Sequence, residues 1–169
     1  MTNQTTLAPV VRDVVVRAPV ETCYRVFVEG LDTWWPREHH IGVDRTVAEF
    51  RIEPFVGGRC YDIDTAGGES VWGTVLALDP PRRFLFAWHV QADWTIDPDP
   101  SRQSEVEVTF TAVDAETTTV RLEHRGIERH GDGAPGMHTA VGGRGGWSSG
   151  LDRLSDVIEG RPPRPLADA

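Results

Sequence analysis

Histidines, cysteines and carboxylates are the residues of this chain whose types could carry chemistry, and their spacing decides how much. His124 ends a run, Thr118 to His124, in which Val120, Leu122 and His124 alternate with Arg121, Glu123 and Arg125. That period puts His124 on the apolar inner face of a strand. Asp62 and Asp64 lie in another strand candidate of the same sheet, and a histidine beside a carboxylate could move protons in an aldol-type cyclisation. Two other readings of His124 stand beside this one: a core histidine bonded to backbone or to an indole, and a histidine that orients a ligand. No Ser or Cys sits in a recognisable nucleophile motif with a histidine and an acid, and Cys60 is an isolated thiol. His39, His40, His124, His130 and His138 show neither HExxH nor finger spacing, so no metal is expected. Gly142 to Gly146 lacks the GxxxxGK(S/T) phosphate-loop pattern, has Arg144 as its one cation, and reads as a hinge. No cofactor is expected.

The chain does hold six tryptophans, Trp34, Trp35, Trp72, Trp88, Trp94 and Trp147. Large aromatics with one polar handle suit a wall that encloses and orients an apolar guest, although the same residues also fill cores.

The elements that must position these residues follow from periodicity. Val10 to Val16 is rich in β-branched residues and reads as a strand closed by Ala18-Pro19. Val20, Tyr24, Phe27 and Leu31 recur at helical spacing behind Pro19, and Trp34-Trp35-Pro36 ends that helix. Trp34 and Trp35 cannot share one helix face, because neighbours lie about 100° apart. From residue 45 the period becomes alternating: Thr46 to Glu53, Arg59 to Asp64, Ser70 to Leu78, Phe84 to Val90, Glu105 to Val113 and Thr118 to His124 are strand candidates. The strand from Phe84 is apolar on both faces and is expected to be central or roofed. The side of Trp72 is ambiguous, because Gly73 and Val75 alternate against it. Gly126 to Gly146 is expected to be a mobile loop over at least its first half. Trp147, Leu151, Leu154 and Ile158 form the stripe of a long C-terminal helix that Gly160 stops.

Strand, helix, a run of strands and a long amphipathic helix imply an α+β fold: an antiparallel sheet of about six to seven strands, curved around the C-terminal helix. The expected organisation is a flexible N-terminus over 1–9, one domain over 10–160 and a disordered tail over 161–169. A formal charge of -9, from 26 acidic against 17 basic residues, gives no reason to approach nucleic acid or an anionic membrane. No run approaches the ~20 apolar residues that span a bilayer, and two cysteines without CxxC spacing do not make a disulfide framework. A cytoplasmic location is the expectation.

The order of elements and several short motifs resemble the START-like, helix-grip superfamily, and within it the homologues of the activator of heat-shock-protein-90 ATPase. The resemblance rests on Ala18-Pro19, Val26-Phe27, Trp34-Trp35-Pro36, Gly57-Gly58-Arg59, Trp72-Gly73-Thr74-Val75, the run Asp79 to Trp88, the run Val120 to Gly126, and Gly146-Trp147 with Leu151 and Leu154. It covers about residues 10 to 160. It implies a cavity between the sheet and the last helix that binds a small hydrophobic molecule. It also implies two alternatives, a chaperone-interacting module and a cyclase- or aromatase-like enzyme. The candidate wall is Trp35, Phe50, Phe86, Trp88, Val108, Phe110, His124, Trp147 and Leu151, with Trp94 expected outside it. Monomer and homodimer both fit, and an enzyme is the less favoured reading.

Overall fold

In the computed structural model, which describes residues 6–167, the Val-rich opening segment forms β1 (Val10–Val16) at one edge of a single sheet. It is followed by α1 (Val20–Val28) and a short helical turn, α2 (Leu31–Trp34). Then come β2 (Val47–Ile52), β3 (Arg59–Asp64), β4 (Glu69–Asp79), β5 (Arg83–Trp88), β6 (Ser104–Asp114) and β7 (Thr117–Arg125). The chain closes with α3 (Ala134–Gly142) and α4 (Ser149–Ile158). All neighbours pair antiparallel in the order β1-β7-β6-β5-β4-β3-β2, giving seven strands curled around the helices. This is the α+β helix-grip arrangement. No helix among the described residues is long and apolar enough to cross a membrane. Met1 to Thr5, part of the expected flexible N-terminus, lie outside the described residues.

β5 is the middle strand of the seven, and Phe84 to Trp88 are all buried. Its apolar residues on both faces are explained by that position, since each face is covered. Phe84, Phe86 and Trp88 point inward and continue across the sheet into Val106, Val108, Val120 and Leu122, all at most 1 % exposed apart from Trp88. α1 lays Tyr24 and Phe27 on this face, where Phe27 meets Phe84 and Phe110 at ring-centroid distances of 6.1 and 5.8 Å. The interior beside α1 is thus filled by phenylalanine rings.

An irregularity in β4 sets side-chain direction. Against β3 the register passes from Cys60↔Gly73 to Tyr61↔Val71, so Trp72 has no partner of its own. Such a bulge re-aims the residues around it. Trp72 is thereby buried together with Gly73 and Val75, which simple alternation forbids. Gly73 is needed at this point, because a Cβ there would stand 2.9 Å from the Ala87 carbonyl oxygen and 3.1 Å from the Cys60 Cβ.

The glycine-rich stretch is not the mobile loop expected from its composition. Ile127–Gly133 forms 3-10 turns, α3 follows, and a π-turn at Arg144–Ser148 leads into α4. Ile127, Ala134, Met137 and Val141 are buried, so tertiary packing overrides weak local propensity. The expected C-terminal helix from Trp147 is α4 alone, with Trp147 in the turn before it, and α3 is an additional helix that the sequence reading did not expect. α4 ends as expected at Gly160: the Arg161 N–H bonds the Asp156 carbonyl and the Gly160 N–H bonds that of Val157, with Gly160 at φ +79°.

Beyond it, residues 161–167 have no regular structure and lie against α4. The Asp156 carboxylate, 3 % exposed, accepts bonds from the Arg164 guanidinium at 2.7 and 2.8 Å, from the Arg164 N–H at 3.0 Å and from Arg161 at 3.1 Å. The Arg164 bonds hold this carboxyl well below the usual carboxylate range. Asp156→Asn is expected to speed hydrogen exchange at the Arg164 amide by about tenfold, the equivalent of one weakened charge-assisted bond. Unchanged exchange would mean that the segment is held elsewhere.

Candidate functional site

Five of the six tryptophans converge beside the phenylalanine cluster, which they join where Trp34 meets Phe27 at 5.0 Å and Trp72 meets Phe86 at 5.9 Å. α1 and α2 bring Trp34 and Trp35 inward together, because Trp35 leaves the helix with extended backbone angles and so escapes the 100° rule. Trp35 stacks on Trp72 at 4.8 Å with the planes 17° apart, and meets Trp147 edge-on at 5.7 Å. Trp88 meets Trp72 at 6.2 Å and Trp147 at 5.5 Å, both edge to face. Such contacts hold the rings rigidly in place.

These rings surround a cavity of about 380 Å³, within the range of ligand pockets. Trp34, Trp35, Trp72, Trp88 and Trp147 line it, joined by Val90, Val141, Gly146 and Gly150. Its mouth carries Pro36, Glu38, His39, His40, Ile41 and Trp94. Trp94, expected outside the wall, is 58 % exposed and borders the opening with φ +61°, a conformation uncommon for a bulky residue. Of the nine residues expected to form the wall, Trp35, Trp88 and Trp147 line the cavity. Phe50, Phe86, Val108, Phe110, His124 and Leu151 are buried in the core and do not line it.

The loop bearing the mouth residues is anchored by Arg45. Its guanidinium donates to Asp62 at 2.5 Å, to Asp64 at 2.9 Å and to the Ile41 carbonyl at 2.7 Å. Asp62 and Asp64 therefore serve as anchors of this loop on β3 and make no contact with His124 in the described hydrogen bonds.

His124 belongs to a buried chain of hydrogen bonds whose direction is fixed at one end. The Trp147 indole N–H can only donate, and it donates to His124 Nδ1 at 3.1 Å. The imidazole must then carry its proton on Nε2 and donate it to Ser104 Oγ, 2.7 Å away. Ser104 in turn donates to His130 Nε2 at 2.6 Å, and His130 Nδ1–H donates to Gln91 Oε1 at 3.0 Å. The Gln91 amide completes the chain on the carbonyls of His89 and Arg102. Both histidines are neutral in this arrangement: protonating His124 would set its Nδ1–H against the Trp147 N–H, and protonating His130 would leave the Ser104 hydroxyl hydrogen without an acceptor. Burial, with the charges of His130 and His138 adding to it, pushes the His124 pKa down to about 3. Burial and then Arg102 push that of His130 down to about 4. With both nitrogens occupied, His124 has no lone pair for a substrate.

Ser104, Gln91 and His130 were absent from the expected site. The signal for Ser104 was a single hydroxyl on the face shared with Val106, Val108 and Phe110, since a polar group on an apolar face requires a partner. Nothing local announces Gln91 or the partner of His130.

The indole N–H groups divide cleanly. Trp34 donates to the Val26 carbonyl at 3.2 Å, Trp35 to that of His39 at 3.2 Å, and Trp147 to His124. Those of Trp72 and Trp88, buried beside the cavity, have no protein partner. Both cysteines are buried, and burial pushes the Cys60 thiol far up, away from nucleophilic use. Among the described residues no group of three His, Cys, Asp or Glu side chains is arranged to hold a metal ion.

Residues 17–159 match the family described as activator of Hsp90 ATPase homolog 1-like protein. No curated protein matches the chain. Among solved structures, the chain is 39 % identical to Txn09, an anthrahydroquinone-γ-pyrone synthase solved as a complex, with TM-score 0.64 over 92 % of this chain and 99 % of that one. It is 30 % identical to CalC of Micromonospora echinospora, a self-sacrificing resistance protein, with TM-score 0.62 over 89 % and 94 % of the two chains. The Aha1 dimer of Colwellia psychrerythraea shares the fold at 18 % identity and TM-score 0.56, covering 90 % and 97 %.

Proposed function

The chain belongs to the family of activator of Hsp90 ATPase homolog 1-like proteins, and from that premise we propose that it binds a small, planar, largely aromatic molecule in the tryptophan cavity. The observation that carries this reading is a cavity of about 380 Å³ walled by five indoles, those of Trp34, Trp35, Trp72, Trp88 and Trp147. The indole faces supply the apolar contact, and no lysine or arginine lines the space to select an anion. The similarity to Txn09 supports a guest of the fused-ring kind.

The test is a thermal-shift screen of fused aromatic ketones and quinones. At a hundredfold excess over Kd a guest adds about 2.7 kcal/mol, which raises Tm by about 5–10 °C for a chain of this size. Trp88→Ala should abolish the shift. Failure of every member to move Tm would count against the reading.

A second reading, ring closure on such a guest, is favoured by the 39 % identity to a γ-pyrone synthase. Chromatography of the guest after incubation separates the two, since an unaltered guest removes the enzymatic reading. A chaperone contact rests on the family's name; failure to stimulate an Hsp90 ATPase would remove it.

A further inference from the structure

Residues 90–96 form a tight hairpin whose tip breaks the rule of its own turn. Val90 bridges Ile96, the Gln91 N–H donates to the Thr95 carbonyl at 2.8 Å, and the Trp94 N–H donates to the Gln91 carbonyl at 2.8 Å. The loop between the paired residues is thus Ala92, Asp93 and Trp94. In three-residue hairpin loops of this pattern the third residue takes the left-handed conformation, where glycine or asparagine costs least. Trp94 holds that position at φ +61°. Packing does not account for it. The side chain is 58 % exposed, and among the described residues it joins none of the ring contacts that the other five indoles share.

The hairpin is nevertheless firmly held. Asp93 accepts from the Thr95 hydroxyl at 2.6 Å and from its N–H at 3.2 Å. At the root the Gln91 side chain is buried and bonded to His89, Arg102 and His130. A rigid turn therefore keeps a large apolar ring in water at the mouth of the tryptophan cavity, which it shares with Pro36 and Ile41. An outlier kept at a cavity rim in spite of its cost is the kind of feature that function retains. The cavity, about 380 Å³, is near the small end of the range for ligand pockets, and such pockets leave about 10–30 % of a drug-sized guest's surface outside. The part left outside emerges at the mouth that Trp94 borders.

We propose that Trp94 selects for extended guests: the end of a fused-ring molecule that the cavity cannot enclose stacks on the Trp94 indole, and a guest short enough to lie wholly inside gains nothing from it. This rests on the reading that the cavity takes a planar aromatic guest. Trp94 is then a specificity-determining residue of the mouth, separate in role from the five indoles of the wall.

The experiment titrates a two-ring ketone, 2-acetylnaphthalene, and a four-ring quinone, 5,12-naphthacenequinone, into the protein, with tryptophan quenching giving Kd. Trp94→Gly should weaken the four-ring guest by about three- to tenfold, the size of one aromatic contact, and leave the two-ring guest within about twofold of wild type. Trp94→Phe, which keeps a stacking face, should retain most of the four-ring affinity. Without a guest, Trp94→Gly should melt about 2–4 °C above wild type, because glycine relieves the left-handed strain. A gain in stability with a loss of binding is a pair of signs that a merely structural tryptophan would not give. Equal weakening of both guests, no weakening of either, a lowered Tm, or a wild-type protein that takes only the two-ring ketone overturns the assignment and leaves the binding reading standing. Absence of quenching by both molecules overturns the binding reading together with this one.

Discussion

Gly146→Ala is expected to destabilise the protein by at least about 3 kcal/mol, because the added methyl has no room and its neighbours cannot yield. A Cβ at this position would stand 2.2 Å from the Val141 carbonyl oxygen, 2.6 Å from the Val141 carbonyl carbon and 2.7 Å from the Ala140 oxygen. All three are backbone atoms of α3. Gly146 adopts φ -86° and ψ -134°, a kink inside the π-turn that precedes α4. The requirement is close approach rather than a left-handed backbone. Trp147 is the next residue, so a displaced kink moves the indole that closes the cavity and fixes the direction of the His124 chain. Gly136→Ala supplies the contrast. It sits inside α3 with only the Ala92 Cβ within 4 Å, at 3.8 Å, and should stabilise the protein by about 0.5–1 kcal/mol through helix propensity. Urea unfolding of both variants checks the pair. A Gly146→Ala protein within about 1 kcal/mol of wild type would show that the kink does not require glycine.

Acid is expected to weaken the fold well above the pH at which carboxylates titrate. The folded pKa values of His124 and His130, about 3 and about 4, lie below the ordinary histidine value of 6.5. Above pH 6.5 both are neutral in the folded and the unfolded chain, and their full contribution is present. Below it the unfolded chain takes up protons that the folded chain refuses. Each histidine then removes stability at about 1.4 kcal/mol per pH unit until the pH falls through its folded value. Both act between pH 6.5 and about 4, and His124 alone continues to about 3. His39 and His89, also lowered by burial, steepen the same limb, so the decisive quantity is a difference between proteins. His130→Asn should be less stable than wild type at pH 7.5, having lost its bonds to Ser104 and Gln91. Its stability should fall between pH 6 and 5 by about 1.4 kcal/mol less than that of wild type. Equal slopes would mean that His130 is protonated in the folded state and donates to Ser104 rather than accepting from it.

Half-buried strands were easily legible in the sequence. β1 has the expected bounds, and β6 and β7 extend the expected Glu105 to Val113 and Thr118 to His124 by one residue at each end. One face of each meets the core and the other meets water, which writes a period of two into the residues. The glycine-rich segment was misread because glycine lowers helix propensity, yet Ala134, Met137 and Val141, three and four residues apart, already marked a buried helical face. Trp72 was undecidable by alternation, because the bulge that turns it inward is a feature of the pairing between β3 and β4. The candidate site was legible in Trp35, Trp88 and Trp147. The mouth residues from Pro36 to Ile41 were not, because they lie on a loop held by Arg45 against two aspartates of β3, and a loop has no period to read.

What the sequence determined by itself is the α+β order of strands and helices and the presence of an aromatic interior, since both follow from periodicity and residue type along the chain. Only the tertiary structure decided which indole N–H groups find a partner and that His124 is sealed on both nitrogens. Those distinctions depend on Gln91, Ser104, His124, His130 and Trp147 meeting across the sheet and the final helices. A hydrogen bond is settled by which groups converge in space, and no local pattern in the chain encodes that convergence.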